Sequence, residues 1–325
     1  MKTIYIAHRL FALHDRLLAA NLAQVLQQQE NLRPLFLPYC DTDEHTIVVP
    51  QKGKYLFERD MERLSSLALL IAILHGPGYD DGVCMEVGCA YGLHIPLLFI
   101  TTDFLSYSFR SESRQFLFSD PLFDLLDAAG LRICDPLPFP DNLHMPRYQA
   151  FETSHTQTLQ ELFRAAREKA LQLISQEQQK KILSTSRQKQ VYIEPSPYST
   201  KSELLHLQSD IERLGWKCYI AQRFQQTITS TEEAARRDLQ QARQSRILLL
   251  DGNGPEVPAG SAFFTGLGQV IQAKTLLYYT GTQTTHAAGR EENARNLMLL
   301  YGCTTLASSI EQARELCLIW CSQQQ

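Results

Sequence analysis

Residues 79–99 read YDDGVCMEVGCAYGLHIPLLF. Asp80 and Asp81 lead into Gly82, and a lone acid, Glu86, follows among small and apolar residues. Two readings suit this spacing. In the first, Asp80 or, in preference, Asp81 caps the helix that opens here and Glu86 favours its positive end. In the second, the carboxylates do chemistry, because ligands of open α/β sheets bind where strand-end loops meet helix N-termini. Glu86 then serves as a nucleophile and Asp80 as an acid or base.

Such side chains need a rigid scaffold. KTIYIA reads as a first strand and is followed by a helix carrying Leu17, Leu18, Leu22, Val25 and Leu26. PLFLPY reads as a short strand and CDTDEHT as a polar loop. A helix near 55–66 leads into the apolar strand LALLIAIL, then a helix over about 82–93 and a strand at 95–101. Uniformly apolar strands between helices predict a parallel sheet covered on both faces. From 154 to about 189 the chain turns polar, with Leu159, Leu162, Phe163, Ala166, Ala170 and Leu173 at helical spacing. This segment, 151–189, is expected to be a connecting helix that ends in a linker near 183–189.

The pattern then restarts. VYIEPS matches IYIAHR, and helices at 200–214 and 231–244 flank a strand, KCYIA. From Asp60 and Asp238 onward the two stretches align without gaps at a constant offset of 178. Gly76-Pro77 faces Gly254-Pro255, Gly82 faces Gly260, and Gly88 faces Gly266. A period this long predicts a duplicated domain, with units at 1–150 and 190–325. At this offset Glu86 faces Phe264 and Asp80 faces Pro258. The scaffold repeats while the acids do not, which predicts one chemical site.

Composition narrows the classes. The chain has 325 residues, 44% hydrophobic and 20% charged, with a net charge of −4. That is globular composition, and it argues against nucleic acid or an anionic membrane as the main partner. None of the 8 Cys forms a CxxC pair, so neither zinc nor a disulfide framework is expected. No apolar run approaches a membrane span, and the N-terminus lacks a signal peptide's apolar stretch. The expected location is the cytoplasm. The first strand–helix turn lacks a dinucleotide fingerprint, and no cofactor is expected.

IYIAHRLF, DDGVCMEVGCAYG and NLMLLYG together resemble the nucleoside 2-deoxyribosyltransferase family. The matching positions are Tyr5; Asp80, Gly82, Glu86 and Gly88; and Asn296, Leu297 and Met298. The resemblance implies two flavodoxin-like (Rossmann-like) α/β repeats, each a parallel sheet with helices on both faces. It implies that Glu86 attacks C1′ of a 2′-deoxyribonucleoside, that Tyr5 orients it, and that Asp80 serves the departing base. An anion beside C1′ suits an oxocarbenium-like transition state. In the family, Asn and Met arrive from the neighbouring subunit. Here Glu86 lies in the first repeat and Asn296 and Met298 in the second, which implies an intramolecular pseudo-dimer. The implied partners are deoxynucleosides and nucleobases in a salvage reaction.

Departures leave other readings open. His8-Arg9 replaces the Gly-Pro that often follows the family's first strand. His8 and Arg9 there would project near the sugar or a 5′ substituent, where Arg9 would accept a phosphate; the alternative is a solvated Arg and a loop His. Phe11 would stack on the base or join the core, Asp60 would buttress the site, and Asp41 and Asp43 would reach the base or build a turn. His75 reads as a loop residue. The family's acids at both ends of the third strand are replaced by Ala68 and Ile73, which leaves base preference open. Two rival functions remain: an N-glycoside hydrolase of nucleosides or 5′-monophosphates, and an inactive nucleoside- or nucleotide-binding sensor.

Overall fold

The computed structural model describes residues 3–42, 47–109, 112, 114–126, 131–132, 146–176, 187–197, 201–225, 230–286 and 290–323. The first half contains β1 (Thr3–Ala7), α1 (Leu13–Gln27), β2 (Leu35–Phe36), α2 (Pro38–Asp41), α3 (Lys52–Leu64) and β3 (Leu67–Ile73). It continues with α4 (Asp81–Gly92), β4 (Leu97–Thr101), α5 (Pro121–Leu126), β5 (Leu131–Arg132) and α6 (Arg147–Ser175). The second half begins with β6 (Gln188–Glu194), α7 (Lys201–Arg213), β7 (Lys217–Ile220), α8 (Thr231–Gln244), β8 (Ser245–Asp251) and α9 (Ala259–Ile271). It ends with β9 (Lys274–Tyr278), α10 (Leu297–Gly302), β10 (Thr305–Ala307) and α11 (Ile310–Gln323).

The strands form two five-stranded sheets, ordered β2-β1-β3-β4-β5 and β7-β6-β8-β9-β10, and the strand pairs in both are parallel. Each is a 2-1-3-4-5 flavodoxin-like order, whose switch point lies between its first and third strands. The fold is therefore two α/β repeats. The outer face of the first sheet is sealed by α1 and α6, where Leu22, Leu26, Phe163 and Ala166 meet Ile4, Ile6 and Ile71. The outer face of the second is sealed by α7 and α11, through Leu207, Ile211, Cys317 and Trp320.

The inner faces share one core. It runs from Tyr5, Leu70 and Phe99 through Met85, Cys89, Phe263 and Phe264 to Tyr192 and Leu248. Helices α4 and α9 meet at its centre, which explains why α4 is apolar all round rather than amphipathic: a helix enclosed on every side has no solvent face. Around this pair, α5 packs on α8 and α10 packs on α3. These two contacts are counterparts under exchange of the halves.

Several local expectations shift. PLFLPY yields a strand of only two residues, because Pro38 at the first position of α2 starts a helix instead. Cys40 and Asp41 fall in that helix, and Asp43 lies outside the described residues. The connecting helix starts at Arg147 and packs into the first half's core. Of the expected linker, 183–186 lie outside the described residues and Gln188 and Lys189 belong to β6. No described helix is long and apolar enough to cross a membrane.

Candidate active site

The site forms where the C-terminal end of β1 meets the start of α4, with α10 of the other half across from them. Glu86 sits on the second turn of α4, 6% exposed, and Tyr5 on β1 is fully buried. The Tyr5 hydroxyl donates to Glu86 Oε1 at 2.5 Å. Burial pushes the Glu86 carboxyl well above the usual range, and the charge of Asp60 adds to this, while the Tyr5 hydrogen bond opposes it. Burial, reinforced by the charge of Glu86, likewise pushes the Tyr5 phenol up, so it stays a donor.

The loop before α4 is tied down by its own acids. Asp80, not Asp81, is the cap: its Oδ1 accepts from the Val83 amide at 3.0 Å. The chain turns at Asp80 and its side chain reaches the third amide, so Asp81 enters the helix as its first residue. Burial raises the Asp80 carboxyl, and the Val83 hydrogen bond and the charge of Arg9 oppose it. Asp81 is freed for another task. Its Oδ1 accepts from Asn296 Nδ2 at 2.9 Å, across the junction of the halves. Burial, together with the charge of Asp80, pushes Asp81 up to about 7.

Asn296 caps α10 with its other atom, Oδ1, which accepts from the Met298 amide at 2.9 Å. Both polar ends of Asn296 are thus used, one to start α10 and one to dock it on the loop carrying Asp80. Gly82 leaves room for this: a Cβ there would approach Asn296 Nδ2 to 3.0 Å and Asp80 Oδ1 to 3.1 Å.

A small cavity of about 40 Å³ lies against these groups. Glu86, Asp80, Asp60, Phe11, Asn296 and Met298 line it, together with His8, Thr42, Leu56 and Arg290. Phe11, 62% exposed, stands at the surface and is no part of the core. Arg9 is not among the lining residues. It donates from Nη2 to the Gly78 carbonyl at 3.0 Å and faces an adjoining cleft of about 960 Å³ between the halves, which His75 also lines. Asp41 does turn work, accepting from the Leu37 amide at 2.7 Å. Sequence reading missed the cross-junction role of Asp81 and the place of Arg290, to which nothing in sequence pointed. Of the His8-Arg9 pair expected near the sugar, His8 lines the cavity and Arg9 does not. Among the described residues no cluster of three or more His, Cys, Asp or Glu could hold a metal ion.

The counterpart position in the second half is filled. Phe264 stands where α4 carries Glu86, and Tyr192, the counterpart of Tyr5, donates instead to Glu194 Oε2 at 2.6 Å. Arg223, 1% exposed, occupies the space. It binds both oxygens of Asp120 at 2.7 and 2.8 Å, Glu194 Oε2 at 3.0 Å and Asp238 at 3.3 Å. Asp120 precedes α5 as Asn296 precedes α10, so each half sends a polar residue into the other.

Residues 4–120 match the family model described as nucleoside 2-deoxyribosyltransferase. No curated protein matches the chain. A crystal structure of a conserved protein from Enterococcus faecalis V583 is 31% identical over 32% of this chain and 65% of its own, with a TM-score of 0.27. The chain thus spans just under two thirds of that structure's length. A structure described as a two-component system response regulator/ggdef domain protein is 12% identical over all of both chains, with a TM-score of 0.26. With the matched residues carrying Tyr5, the Asp80 loop and Glu86 on a flavodoxin-like sheet, residues 4–120 are a domain of the nucleoside 2-deoxyribosyltransferase family.

Proposed function

We propose that this chain transfers a 2-deoxyribosyl group between nucleobases at a single site built by both halves. The observation that carries this reading is the buried Tyr5–Glu86 pair, with Glu86 lining a cavity to which the other repeat contributes Asn296 and Met298. Glu86 attacks C1′, forming a C1′–O bond as the C1′–N bond breaks. In this scheme Asp80, whose pKa is raised by desolvation, gives a proton to the departing base. The incoming base then attacks C1′ through a ring nitrogen, its N–H proton returns to Asp80, and Glu86 is released. Two inversions retain the anomeric configuration.

Transfer, as opposed to hydrolysis, requires that water be kept from the glycosyl-enzyme while one base leaves and the next binds. Arg9 faces the neighbouring cleft and not this cavity, which supports a nucleoside over a nucleotide.

The test is incubation with 2′-deoxyinosine or thymidine, with and without adenine or cytosine, using wild type and Glu86→Gln. A new deoxynucleoside formed only with the second base and intact Glu86 is the expected result. Free base and deoxyribose regardless of acceptor would make the protein a hydrolase. No turnover, with binding retained in both proteins, would make it a binding protein.

A further inference from the structure

His8 follows the last residue of β1 and is 3% exposed. Its Nδ1 lies 2.8 Å from the Arg9 carbonyl oxygen. A carbonyl only accepts, so Nδ1 carries the hydrogen. Burial pushes the imidazole below its usual range. The bond to Arg9 and the charge of Asp15 oppose that shift, and Arg16 adds to it. The ring is therefore a neutral Nδ1–H tautomer with a lone pair on Nε2. Nε2 is buried and has no hydrogen-bond partner among the described residues. Leaving such an acceptor unpaired costs about 1–3 kcal/mol, a cost a ligand donor removes. His8 lines the cavity that holds Glu86, Asp80 and Asn296.

We infer that His8 Nε2 accepts a hydrogen bond from a sugar hydroxyl of the deoxynucleoside and so selects a free hydroxyl over a phosphate ester at that position. This rests on the function proposed above and names the substrate class within it. With Nδ1 tied to the backbone, the opposite edge of the ring is the one left to the substrate. A deoxynucleoside carries donors on its sugar and on its base. Asp80 serves the base edge, which leaves a hydroxyl for His8. A neutral lone pair has nothing to donate to a phosphate oxygen, and on the same cavity Asp60 and Glu86 oppose its charge against a single guanidinium, Arg290. Arg9, whose guanidinium would add to that of Arg290, is turned to the Gly78 carbonyl.

The experiment compares wild type, His8→Phe and His8→Gln on a deoxynucleoside, its 3′-deoxy and 5′-deoxy counterparts, and its 5′-monophosphate. In wild type, removing the contacted hydroxyl is expected to lower kcat/KM roughly tenfold, the size of one hydrogen bond to a buried partner. In His8→Phe the same removal should change it less than about threefold. His8→Gln, whose side-chain carbonyl still accepts, should recover part of the difference. Thermal melting shows whether each variant folds, and the Gln variant carries the comparison if the Phe variant does not. If every hydroxyl deletion costs as much in the variants as in wild type while Glu86→Gln abolishes exchange, the role of His8 is overturned and the transferase reading stands. If wild type itself exchanges no base, both fall.

Discussion

In the proposed reaction Glu86 needs its charge to attack C1′, yet its site opposes that charge. Burial and Asp60 push its pKa up, and among these groups only the Tyr5 hydroxyl pulls it down. Activity should therefore rise with pH through the Glu86 pKa, giving an acid limb displaced above the ordinary carboxylate range. Tyr5→Phe removes the one stabilising bond, so that limb should move to higher pH. The plateau rate should fall roughly 10- to 100-fold, the worth of a hydrogen bond to a charged group. A pH–rate profile of both proteins checks this; an unshifted limb would mean that Tyr5 does not tune Glu86. Asp81 gives the opposite kind of test. Its folded pKa, about 7, lies above the unfolded value near 4, so the native state prefers it protonated. Its contribution to stability is full below the unfolded value and is lost as pH rises towards 7. Asp81→Asn keeps an acceptor for Asn296 and removes the ionisation. The variant should melt higher than wild type above pH 7, and the gain should shrink steadily as pH falls towards about 4.

At the scale of elements, the position of the site depends on how closely α4 and α9 approach. A Cβ on Gly88 would run into the Phe263 carbonyl oxygen, and one on Gly266 into the Met85 carbonyl oxygen. In each case the obstacle is backbone, which cannot rotate away. Gly88→Ala should thus cost ~3 kcal/mol or more in a denaturant titration and push Glu86, half a turn before it, out of line with Tyr5. A loss well under 1 kcal/mol would mean that the helices can separate freely. These glycines were legible in sequence because they recur at the offset of 178. So were the strands, whose continuous apolar runs such as LALLIAI show burial on both faces. The cap was misread because Asp80 and Asp81 are adjacent and identical. Only backbone direction tells which one turns in to meet Val83 and which reaches across to Asn296, 215 positions later. The place of His8 near the sugar was readable from the family pattern, but its orphaned nitrogen is a property of packing and leaves no pattern in the chain.

At the scale of the whole molecule, the two halves share a scaffold and differ in what fills its two equivalent positions. One holds Glu86 beside a cavity, and the other holds Arg223 among Asp120, Glu194 and Asp238. No motif marks that cluster, because its members come from four separate segments. Arg223→Met would leave three buried carboxylates without their cation and should destabilise the protein by about 3–5 kcal/mol. Because Asp120 belongs to the first half, the loss should fall on the junction as well as on the second sheet. Under the proposed function, the same asymmetry predicts one glycosyl transfer site per chain. A deoxynucleoside analogue bearing fluorine at C2′ destabilises an oxocarbenium-like transition state, so its glycosyl-enzyme should form slowly and persist when no acceptor base is present. Intact-mass measurement should then find one glycosyl group per chain, and peptide mapping should place it on the segment carrying Glu86. Glu86→Gln should take up none, and Arg223→Met should still take up one, because Phe264 offers no nucleophile even when the plug is gone. A second adduct, or one on a peptide of the second half, would show that the repeats share the chemistry as well as the fold.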